Sequence, residues 1–194
     1  MLAAVILSGG ASSRMGSPKA LLPYQGRPFL EHLLDVTLQP EIGVRRVVLG
    51  AHAEPIEKAV KLTPDEIVIN ENWEEGQLSS IQAALRSLPA GTDGMLLCLI
   101  DHPLISAALV QDLIQQFHKT KKAIILPVYE GRRGHPVIFS AALYDELLRA
   151  PLETGARAVV WAHAAEVEEV RTNEEGCVLN LNDPDALKKV LGGT

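Results

Sequence analysis

The sequence predicts a three-layer α/β/α domain built on a mostly parallel, doubly wound sheet. Short apolar runs alternate with longer stretches that carry apolar residues at helical spacing. The first apolar run leads directly into a glycine-rich segment, as at the ligand-binding edge of open α/β sheets. The chain has 194 residues, which suits one domain over residues 1–194 with a substantial core.

The predicted elements follow one another in β-α-β-α order. The predicted strands are residues 2–7, 44–50, 67–70, 95–100, 123–127 and 137–139. The predicted helices are residues 29–38, 54–62, 79–88, 106–119 and 141–148. After residue 150 the alternation loosens, and we expect a helix at 155–164 and a strand near 167–171. A last helix is predicted from Asp183 or Pro184 to Val190, because Asp183 suits an N-cap followed by proline.

Composition limits the class of protein. The net charge of −6 argues against a nucleic-acid-binding or anionic-membrane surface, so an anionic ligand must be held by a local group of cations. No apolar stretch approaches the ~20 residues of a spanning helix. The two cysteines, Cys98 and Cys177, form no metal-binding pattern, and we expect reduced thiols and a cytoplasmic location.

The segment "LSGGASSRMGSPKALL", residues 7–22, follows the first predicted strand. Gly9 and Gly10 allow backbone N–H groups to approach a ligand, and Arg14 and Lys19 bring positive charge. The spacing matches neither a P-loop nor a GxGxxG dinucleotide loop. A triphosphate site and a plain glycine turn with two solvated basic residues both remain open from these residues alone.

Asp101 follows a wholly apolar strand in "LLCLIDHPLIS". A carboxylate at this place faces the same crevice as the glycine loop and could bind Mg²⁺ together with phosphate oxygens. The alternative is a helix cap for the segment that begins near Ser106, although Ser106 is itself a better cap.

Two further segments are candidates for the second substrate. Arg132, Arg133, Gly134 and His135 lie in "YEGRRGHPVIF", which suits a phosphate-bearing acceptor or a solvated turn. In "NENWEEGQLSSIQAAL", the serine Ser79 could contact a ligand or act only as an N-cap.

The opening segment resembles the signature LxxGxSxRMGxxKxLLP of molybdenum cofactor nucleotidyltransferases. The resemblance implies a Rossmann-like sheet of the nucleotide-diphospho-sugar transferase type. It also implies nucleotide binding by the following residues: Leu7, Gly9, Gly10, Arg14, Gly16, Lys19 and Ser79. The expected catalytic residues are Arg14, Lys19 and Asp101. The expected Mg²⁺ ligands are Asp101 and Asn182, which lies in "NLNDP".

Different segments of the chain resemble family branches that use different nucleotide bases. A WxxGxxxS run, a GxRGHPVxF loop and a later Gly-Ala-Arg at residues 155–157 are similar to the cytidylyltransferase branch, and they add Arg157 to the expected acceptor residues. Gly9 and the Asn-x-Asn of residues 180–182 are similar to the guanylyltransferase branch. Three segments favour CTP, with GTP as the alternative.

The predicted function is Mg²⁺-dependent transfer of a nucleoside monophosphate to the terminal phosphate of a molybdopterin-type acceptor, with release of pyrophosphate. A molybdoenzyme or its chaperone is the protein partner that the resemblance implies, and we expect no nucleic-acid or membrane partner. Two alternatives stay open: a nucleotidyltransferase for a sugar phosphate or another small phosphate, and a non-catalytic protein that carries the cofactor.

Overall fold

The computed structural model describes residues 1–12, 16–182 and 187. The strands are β1 (Leu2–Ser8), β2 (Pro23–Tyr24), β3 (Arg27–Pro28), β4 (Ile42–Leu49), β5 (Ile67–Ile69), β6 (Gly94–Leu99), β7 (Ile124–Tyr129), β8 (Arg132–Arg133), β9 (Val137–Ser140) and β10 (Val167–Arg171). The α-helices are α1 (Phe29–Val36), α2 (Ala53–Ala59), α3 (Gln77–Ser87), α4 (Ala107–Thr120), α5 (Tyr144–Arg149) and α6 (Arg157–Ala162). The predicted C-terminal helix and Arg14 lie outside the described residues.

The main sheet has eight strands, ordered β10-β7-β9-β6-β1-β4-β5, with β8 paired to β7. Strand β1 pairs in parallel with β4 on one side and β6 on the other, and β4 pairs in parallel with β5. Strand β9 is inserted antiparallel between β6 and β7. The sheet is therefore mixed but mostly parallel, which confirms the predicted fold class.

Alternate side chains of β1 enter two separate apolar layers. Ala4 and Ile6 pack with buried residues of α1, α2 and α4. Val5 and Leu7 pack with buried residues of α3, α5 and α6. Because successive strand residues point to opposite faces, helices cover both faces of the sheet and every residue of β1 is buried.

The predicted boundaries differ from the observed ones mainly in the helices. Helix α3 begins at Gln77 rather than Ser79, and Gly76 precedes it with a φ of +97°. Helix α2 ends at Ala59 instead of residue 62, and α6 covers only Arg157–Ala162. The hairpin of β2 and β3 was not predicted, since two-residue strands leave no periodic pattern.

In the described residues, no helix combines the length and apolar character needed to cross a membrane. Cys98 and Cys177 are both free and buried. Burial raises the pKa of the Cys98 thiol to about 12, so this cysteine is an inert core residue.

Candidate active site

The candidate site lies at the point in the sheet where the strand order reverses. From β1 the chain adds β4 and β5 on one side and then returns to place β6 on the other. The two neighbouring strands end together, because Leu7 pairs with Leu99 and Leu7 accepts a hydrogen bond of 3.1 Å from the Ile100 N–H. A crevice beyond the carboxyl ends of the strands at such a switch point is the usual ligand site of open α/β sheets.

A cleft of about 220 Å³ occupies this switch point. Five predicted site residues line it, namely Leu7, Gly9, Gly10, Lys19 and Asp101. Gly16 has a φ of +66°, which favours glycine, and it is exposed but does not line the cleft.

Backbone contacts hold the glycine loop against the start of α2. The Gly9 carbonyl accepts a hydrogen bond of 3.1 Å from the Ala51 N–H, and His52 Nε2 lies 2.7 Å from the Ala11 carbonyl oxygen. A Cβ on Gly50 would lie 2.4 Å from the Gly9 carbonyl oxygen, so this position needs glycine. Gly10, in contrast, has no atom within 4 Å of a Cβ position and leaves its backbone open to a ligand.

Lys19 is positioned by the loop that precedes it. Its backbone N–H donates a hydrogen bond of 3.1 Å to the hydroxyl oxygen of Ser12, and Lys19 begins a single turn of 3-10 helix. The side chain points into the cleft, with only 15% of its surface exposed. A partly desolvated ammonium in this place interacts with an anion more strongly than one in free solvent.

Lys19 brings the two predicted metal ligands together. Its Nζ lies 3.6 Å from Oδ2 of Asp101 and donates a hydrogen bond to Oδ1 of Asn182. The neighbouring Leu181 N–H donates a hydrogen bond of 2.8 Å to the Asp101 carbonyl, which fixes the 180–182 segment beside the end of β6. Asp101 does not cap α4, because the Ser106 hydroxyl accepts the hydrogen bond from the Leu109 N–H at 3.0 Å.

The donor set at this point fits a hard divalent cation. One carboxylate oxygen and one amide oxygen lie beside the same ammonium, so both oxygen donors face one position that a cation occupies. No group of three or more His, Cys, Asp or Glu side chains able to bind a metal occurs in residues 1–12, 16–182 or 187. Mg²⁺ and Mn²⁺ commonly take one or two protein oxygens and complete their shell with water and phosphate oxygens, which matches this sparse set.

The structure does not bring Ser79 to the cleft. The hydroxyl of Ser79 is buried, lies 2.9 and 2.8 Å from the Asn72 and Gly76 carbonyl oxygens, and accepts a hydrogen bond of 2.9 Å from Asn70. The cleft is lined instead by Ser80, whose hydroxyl accepts a hydrogen bond of 3.0 Å from the same asparagine. The physical reason is that Ser79 lies inside the first turn of α3, where its hydroxyl bonds back to the carbonyl oxygens of Gly76 and Asn72. The WxxGxxxS pattern, counted from the tryptophan, ends on Ser80 and could have identified it.

Sequence reasoning also missed Gln77 and undervalued Trp73. Both line this first cleft, and Gln77 lines a second, neighbouring cleft as well. Gly9 approaches Trp73 closely, because a Cβ on Gly9 would lie 3.8 Å from the Trp73 Cβ and 3.0 Å from the Ser80 hydroxyl oxygen. The bare backbone of Gly9 thus leaves free space at this wall of the cleft.

The second cleft, of about 490 Å³, contains most of the predicted acceptor residues. Arg133, Gly134, His135 and Arg157 all line it. Arg133 Nε donates a hydrogen bond of 2.7 Å to Glu169, whereas Arg132 lies outside this cleft with its Nη2 3.5 Å from the Val178 carbonyl oxygen. Close packing requires glycine at residue 134, because a Cβ there would lie 2.4 Å from the carbonyl oxygen of residue 177.

Two histidines pack against each other between Asp101 and the second cleft. The His102 and His135 rings lie 5.0 Å apart between centroids, and His102 Nε2 lies 3.9 Å from Oδ1 of Asp101. Burial lowers the pKa of His102, and burial together with the nearby His102 lowers the pKa of His135 to about 4. Both rings are therefore neutral near pH 7, and the Nδ1 atom of each is buried without a hydrogen-bond partner in the described residues.

Comparison with known proteins identifies the family. Residues 4–167 match the family model described as the MobA-like NTP transferase domain. The chain belongs to this family. As a MobA-like nucleotidyltransferase, it has its glycine loop and Asp101 at the edge of the sheet described above.

Two curated relatives have different names. The chain is 34% identical over 148 residues to a Paenarthrobacter nicotinovorans protein named nicotine blue oxidoreductase, covering 72% of this chain and 71% of that protein. It is 31% identical over 134 residues to a Bacillus cereus protein named probable molybdenum cofactor guanylyltransferase. That match covers 68% of this chain and 64% of the relative, so the chain spans slightly less than two thirds of that protein's length.

Among solved structures, the MobA-like nucleotidyltransferase fold extends over the whole chain. The crystal structure of Rv0371c from Mycobacterium tuberculosis H37Rv is 29% identical, with a TM-score of 0.87 and coverage of 99% of this chain and 97% of that one. A second structure of Rv0371c, in complex with manganese, has a TM-score of 0.80 at 25% identity and covers 100% of this chain and 99% of that one.

Proposed function

We propose that this nucleotidyltransferase transfers a nucleoside monophosphate from a nucleoside triphosphate to the terminal phosphate of a molybdopterin-type acceptor. The observation that carries the proposal is the contact of Lys19 with both Asp101 and Asn182. Lys19 and Asp101 line a cleft that shares Gln77 with a second, arginine-lined cleft. Two adjoining clefts with cations on both sides suit two phosphate-bearing substrates that must meet at one reacting phosphorus.

The proposed reaction is an in-line displacement at the α-phosphorus. An oxygen of the acceptor's terminal phosphate forms the new P–O bond, the bond from the α-phosphorus to the bridging oxygen breaks, and pyrophosphate leaves with that oxygen. Lys19 would stabilise the negative charge that grows on the phosphate oxygens, and the backbone N–H of Gly10, which lines the cleft, would donate a hydrogen bond to the triphosphate. Arg14 is proposed as a second cation from the sequence signature alone.

Mg²⁺ is the proposed metal, held by Asp101 and Asn182, and it would supply charge neutralisation on the triphosphate. The manganese complex of Rv0371c supports a divalent ion of this size. On the acceptor side, Arg133, His135 and Arg157 are the proposed contacts because they line the second cleft. Arg132 stays a proposed contact on the sequence pattern, and Ser80 replaces Ser79 as the proposed nucleotide contact.

CTP is the proposed nucleotide, with GTP as the alternative. The tryptophan run, the GxRGHPVxF loop and the Gly-Ala-Arg at 155–157 support CTP. The bare Gly9 and the relative named as a guanylyltransferase support GTP. A cytoplasmic location and a single domain over residues 1–194 stay predictions, as does association with a molybdoenzyme or its chaperone.

The test is a pyrophosphate-release screen of CTP, GTP, ATP and UTP with Mg²⁺ or Mn²⁺, against molybdopterin, molybdenum cofactor and simple sugar phosphates. We expect release with CTP and the pterin acceptor. Release only with a sugar phosphate would overturn the acceptor, and release only with GTP would overturn the base.

The screen also follows oxidation of NADH and NADPH, because one relative bears the name of an oxidoreductase. Nicotinamide oxidation without pyrophosphate release would overturn nucleotidyl transfer. Nucleotide and pterin binding without any pyrophosphate release would favour the carrier protein.

A further inference from the structure

Asn182 lies at the end of an irregular segment, residues 174–182, that begins shortly after β10. Within these described residues, one turn of 3-10 helix, Glu175–Cys177, is the only regular element. A segment of this kind makes few hydrogen bonds within itself, so its position depends on contacts with the rest of the domain. A metal ligand at its end is placed accurately only if those contacts fix the segment.

Glu174 fixes the start of this segment to α4. Its Oε2 accepts a hydrogen bond of 3.1 Å from the Ser106 N–H, and its Oε1 accepts one of 2.5 Å from the Ser106 hydroxyl. Ser106 is the N-cap of α4, a helix of 14 residues, so the carboxylate also lies at the positive end of the helix dipole. Hydrogen bonds to an ionised carboxylate are stronger than neutral ones, which makes this a firm attachment.

The sequence of α4 explains why the acid comes from a distant part of the chain. In a capping box, the N–H of the N-cap residue is bonded by a Glu or Gln three residues later in the same helix. In α4 that position is Leu109, which is 2% exposed and packs in the core. Glu174, 68 residues after Ser106, supplies the missing carboxylate. A bond that is usually local therefore connects α4 to the segment that carries Asn182.

Close backbone packing holds the middle of the segment between two loops. A Cβ on Gly176 would collide with the carbonyl oxygen of Leu104 in the loop after β6, so the two backbones are in direct contact. On the other side, the Cys177 carbonyl accepts a hydrogen bond of 2.8 Å from the His135 N–H. The segment therefore cannot shift at its centre without disturbing both loops.

Leu181 completes the connection beside the proposed metal ligands. Its side chain is 1% exposed, and its N–H donates the hydrogen bond of 2.8 Å to the Asp101 carbonyl described above. This bond uses the backbone of Asp101 and leaves the carboxylate free for a metal ion. The attachments of the segment thus run from α4 to the residue next to Asn182.

We propose that Glu174 is a positioning residue of the metal site: by attaching the 174–182 segment to α4, it holds the side-chain oxygen of Asn182 beside the Asp101 carboxylate. This inference rests on the proposed function, in which Asp101 and Asn182 bind the metal. Glu174 itself lines neither cleft. Its loss is therefore expected to weaken metal binding and to leave the residues that contact the triphosphate in place.

The first experiment measures metal binding without turnover, by electron paramagnetic resonance of free Mn²⁺ during titration. Asn182→Ala removes a proposed ligand and is expected to raise the Mn²⁺ Kd about tenfold or more. Glu174→Ala is expected to raise it about fivefold, because the ligand remains but is no longer held in place. Glu174→Gln is expected to stay within roughly twofold of the native Kd, since its amide oxygen can still accept the bond from the Ser106 N–H.

Glu66→Ala is the matched control. Glu66 makes the same pair of bonds at another N-cap, since its Oε2 accepts hydrogen bonds of 2.9 Å from the Thr63 N–H and 3.0 Å from the Thr63 hydroxyl. It also pairs with Arg45 and lines neither of the two clefts. We expect a lower thermal unfolding midpoint in Glu66→Ala and in Glu174→Ala, but weaker Mn²⁺ binding only in Glu174→Ala. An equal rise of the Mn²⁺ Kd in Glu66→Ala would mean that any loss of stability weakens the site, and it would overturn the positioning role.

The second experiment measures pyrophosphate release as a function of Mn²⁺ concentration. Glu174→Ala is expected to raise the apparent KM for Mn²⁺ about fivefold, in step with the Kd. Its kcat at saturating Mn²⁺ is expected to stay within roughly twofold of the native value, because Lys19 and Asp101 are unchanged. A kcat that stays low at saturating Mn²⁺ with an unchanged KM would contradict the inference.

The outcomes separate this inference from the proposed function. A raised Mn²⁺ Kd in Asn182→Ala with an unchanged Kd in Glu174→Ala would overturn the inference and leave the metal ligands in place. An unchanged Kd in both variants would overturn the role of Asn182 and the inference with it. Weaker Mn²⁺ binding in both variants, without pyrophosphate release by the native protein in any assay, would support the positioning role and overturn nucleotidyl transfer.

Discussion

The Lys19 side chain donates a hydrogen bond to the side-chain oxygen of Asn182, a residue 163 positions later in the chain. The same ammonium lies 3.6 Å from the Asp101 carboxylate. A lysine that contacts both oxygen donors competes with a divalent cation for them, because both cations need the same oxygens. This relationship gives Lys19 two effects of opposite sign, one on metal binding and one on turnover.

We expect Lys19→Met to bind Mn²⁺ more tightly than the native protein in the absence of nucleotide, because the competing ammonium is removed. Turnover is expected to fall by about 10²–10³-fold, the usual effect of losing one group that stabilises transition-state charge. Electron paramagnetic resonance of free Mn²⁺ and pyrophosphate release measure the two effects. Lys58→Met is the control, since Lys58 pairs with Glu54 on an exposed helix face. Weaker Mn²⁺ binding in Lys19→Met would contradict the competition.

Asp101→Asn is expected to lose most metal-dependent turnover and to weaken Mn²⁺ binding, because an amide oxygen is a poorer ligand than a carboxylate. The ion pair of Asp101 with Lys19 is long, at 3.6 Å, and Lys19 keeps its hydrogen bond to Asn182 in this variant, so the thermal unfolding midpoint should change little. Asp145→Asn provides the control, because Asp145 pairs with Arg149 on an exposed helix. Full Mg²⁺-dependent activity in Asp101→Asn would show that the metal assignment is wrong.

Substitutions at two glycines of the site are expected to affect different properties, one the stability of the fold and the other the binding of nucleotide. A Cβ on Gly50 would meet the Gly9 carbonyl oxygen at 2.4 Å and the Trp73 Cβ at 2.7 Å, so Gly50→Ala is expected to lower the free energy of unfolding by about 1–3 kcal/mol. Gly10→Ala has open space around the new methyl group and should unfold like the native protein, but bind nucleotide more weakly. Denaturant unfolding and nucleotide titration measure both. Equal losses of stability in the two variants would contradict the contact.

Ser79 and Ser80 provide a test of the corrected nucleotide contact. Ser79→Ala leaves the buried Asn70 amide with one partner fewer and is expected to cost about 1–3 kcal/mol of stability with little change in nucleotide KM. Ser80→Ala is expected to raise the nucleotide KM, because Ser80 lines the cleft. Thermal unfolding and initial rates distinguish the two serines. A raised nucleotide KM in Ser79→Ala with unchanged stability would restore the original prediction.

Local sequence patterns were sufficient for the parts of the fold that depend on periodicity. The apolar run that became β1 is buried along its whole length, and the acid after β6 lies in the cleft beside the glycine loop. A pattern of apolar residues carries no strand direction, so the antiparallel insertion of β9 could not be deduced. The contact of Lys19 with Asn182 depends on tertiary packing, although the family resemblance implies that both residues belong to one site. The first residue of α3 was also predicted wrongly, because the helix begins directly after Gly76 and therefore before the two serines.

The buried histidine at residue 135 predicts a pH dependence of stability. Burial lowers the pKa of folded His135 from 6.5 to about 4, so the unfolded chain binds more protons at this residue between those pH values. The free energy of unfolding therefore falls as the pH is lowered from 6.5 to 4, by roughly 3 kcal/mol at most through this residue. The neighbouring His102 acts in the same direction, because burial lowers its pKa too, while Asp101 opposes both shifts.

His135→Gln removes this titration and should flatten the stability profile between pH 6.5 and 4 relative to the native protein. Urea unfolding at several pH values measures the difference between the two profiles, which is insensitive to the other titrating groups that both proteins share. His118→Gln is the control, because His118 is an exposed histidine that lines neither of the two clefts. Parallel profiles for His135→Gln and the native protein would mean that folded His135 takes up its proton near the ordinary pKa. The conclusion that the two buried histidines beside Asp101 are both neutral would then be wrong.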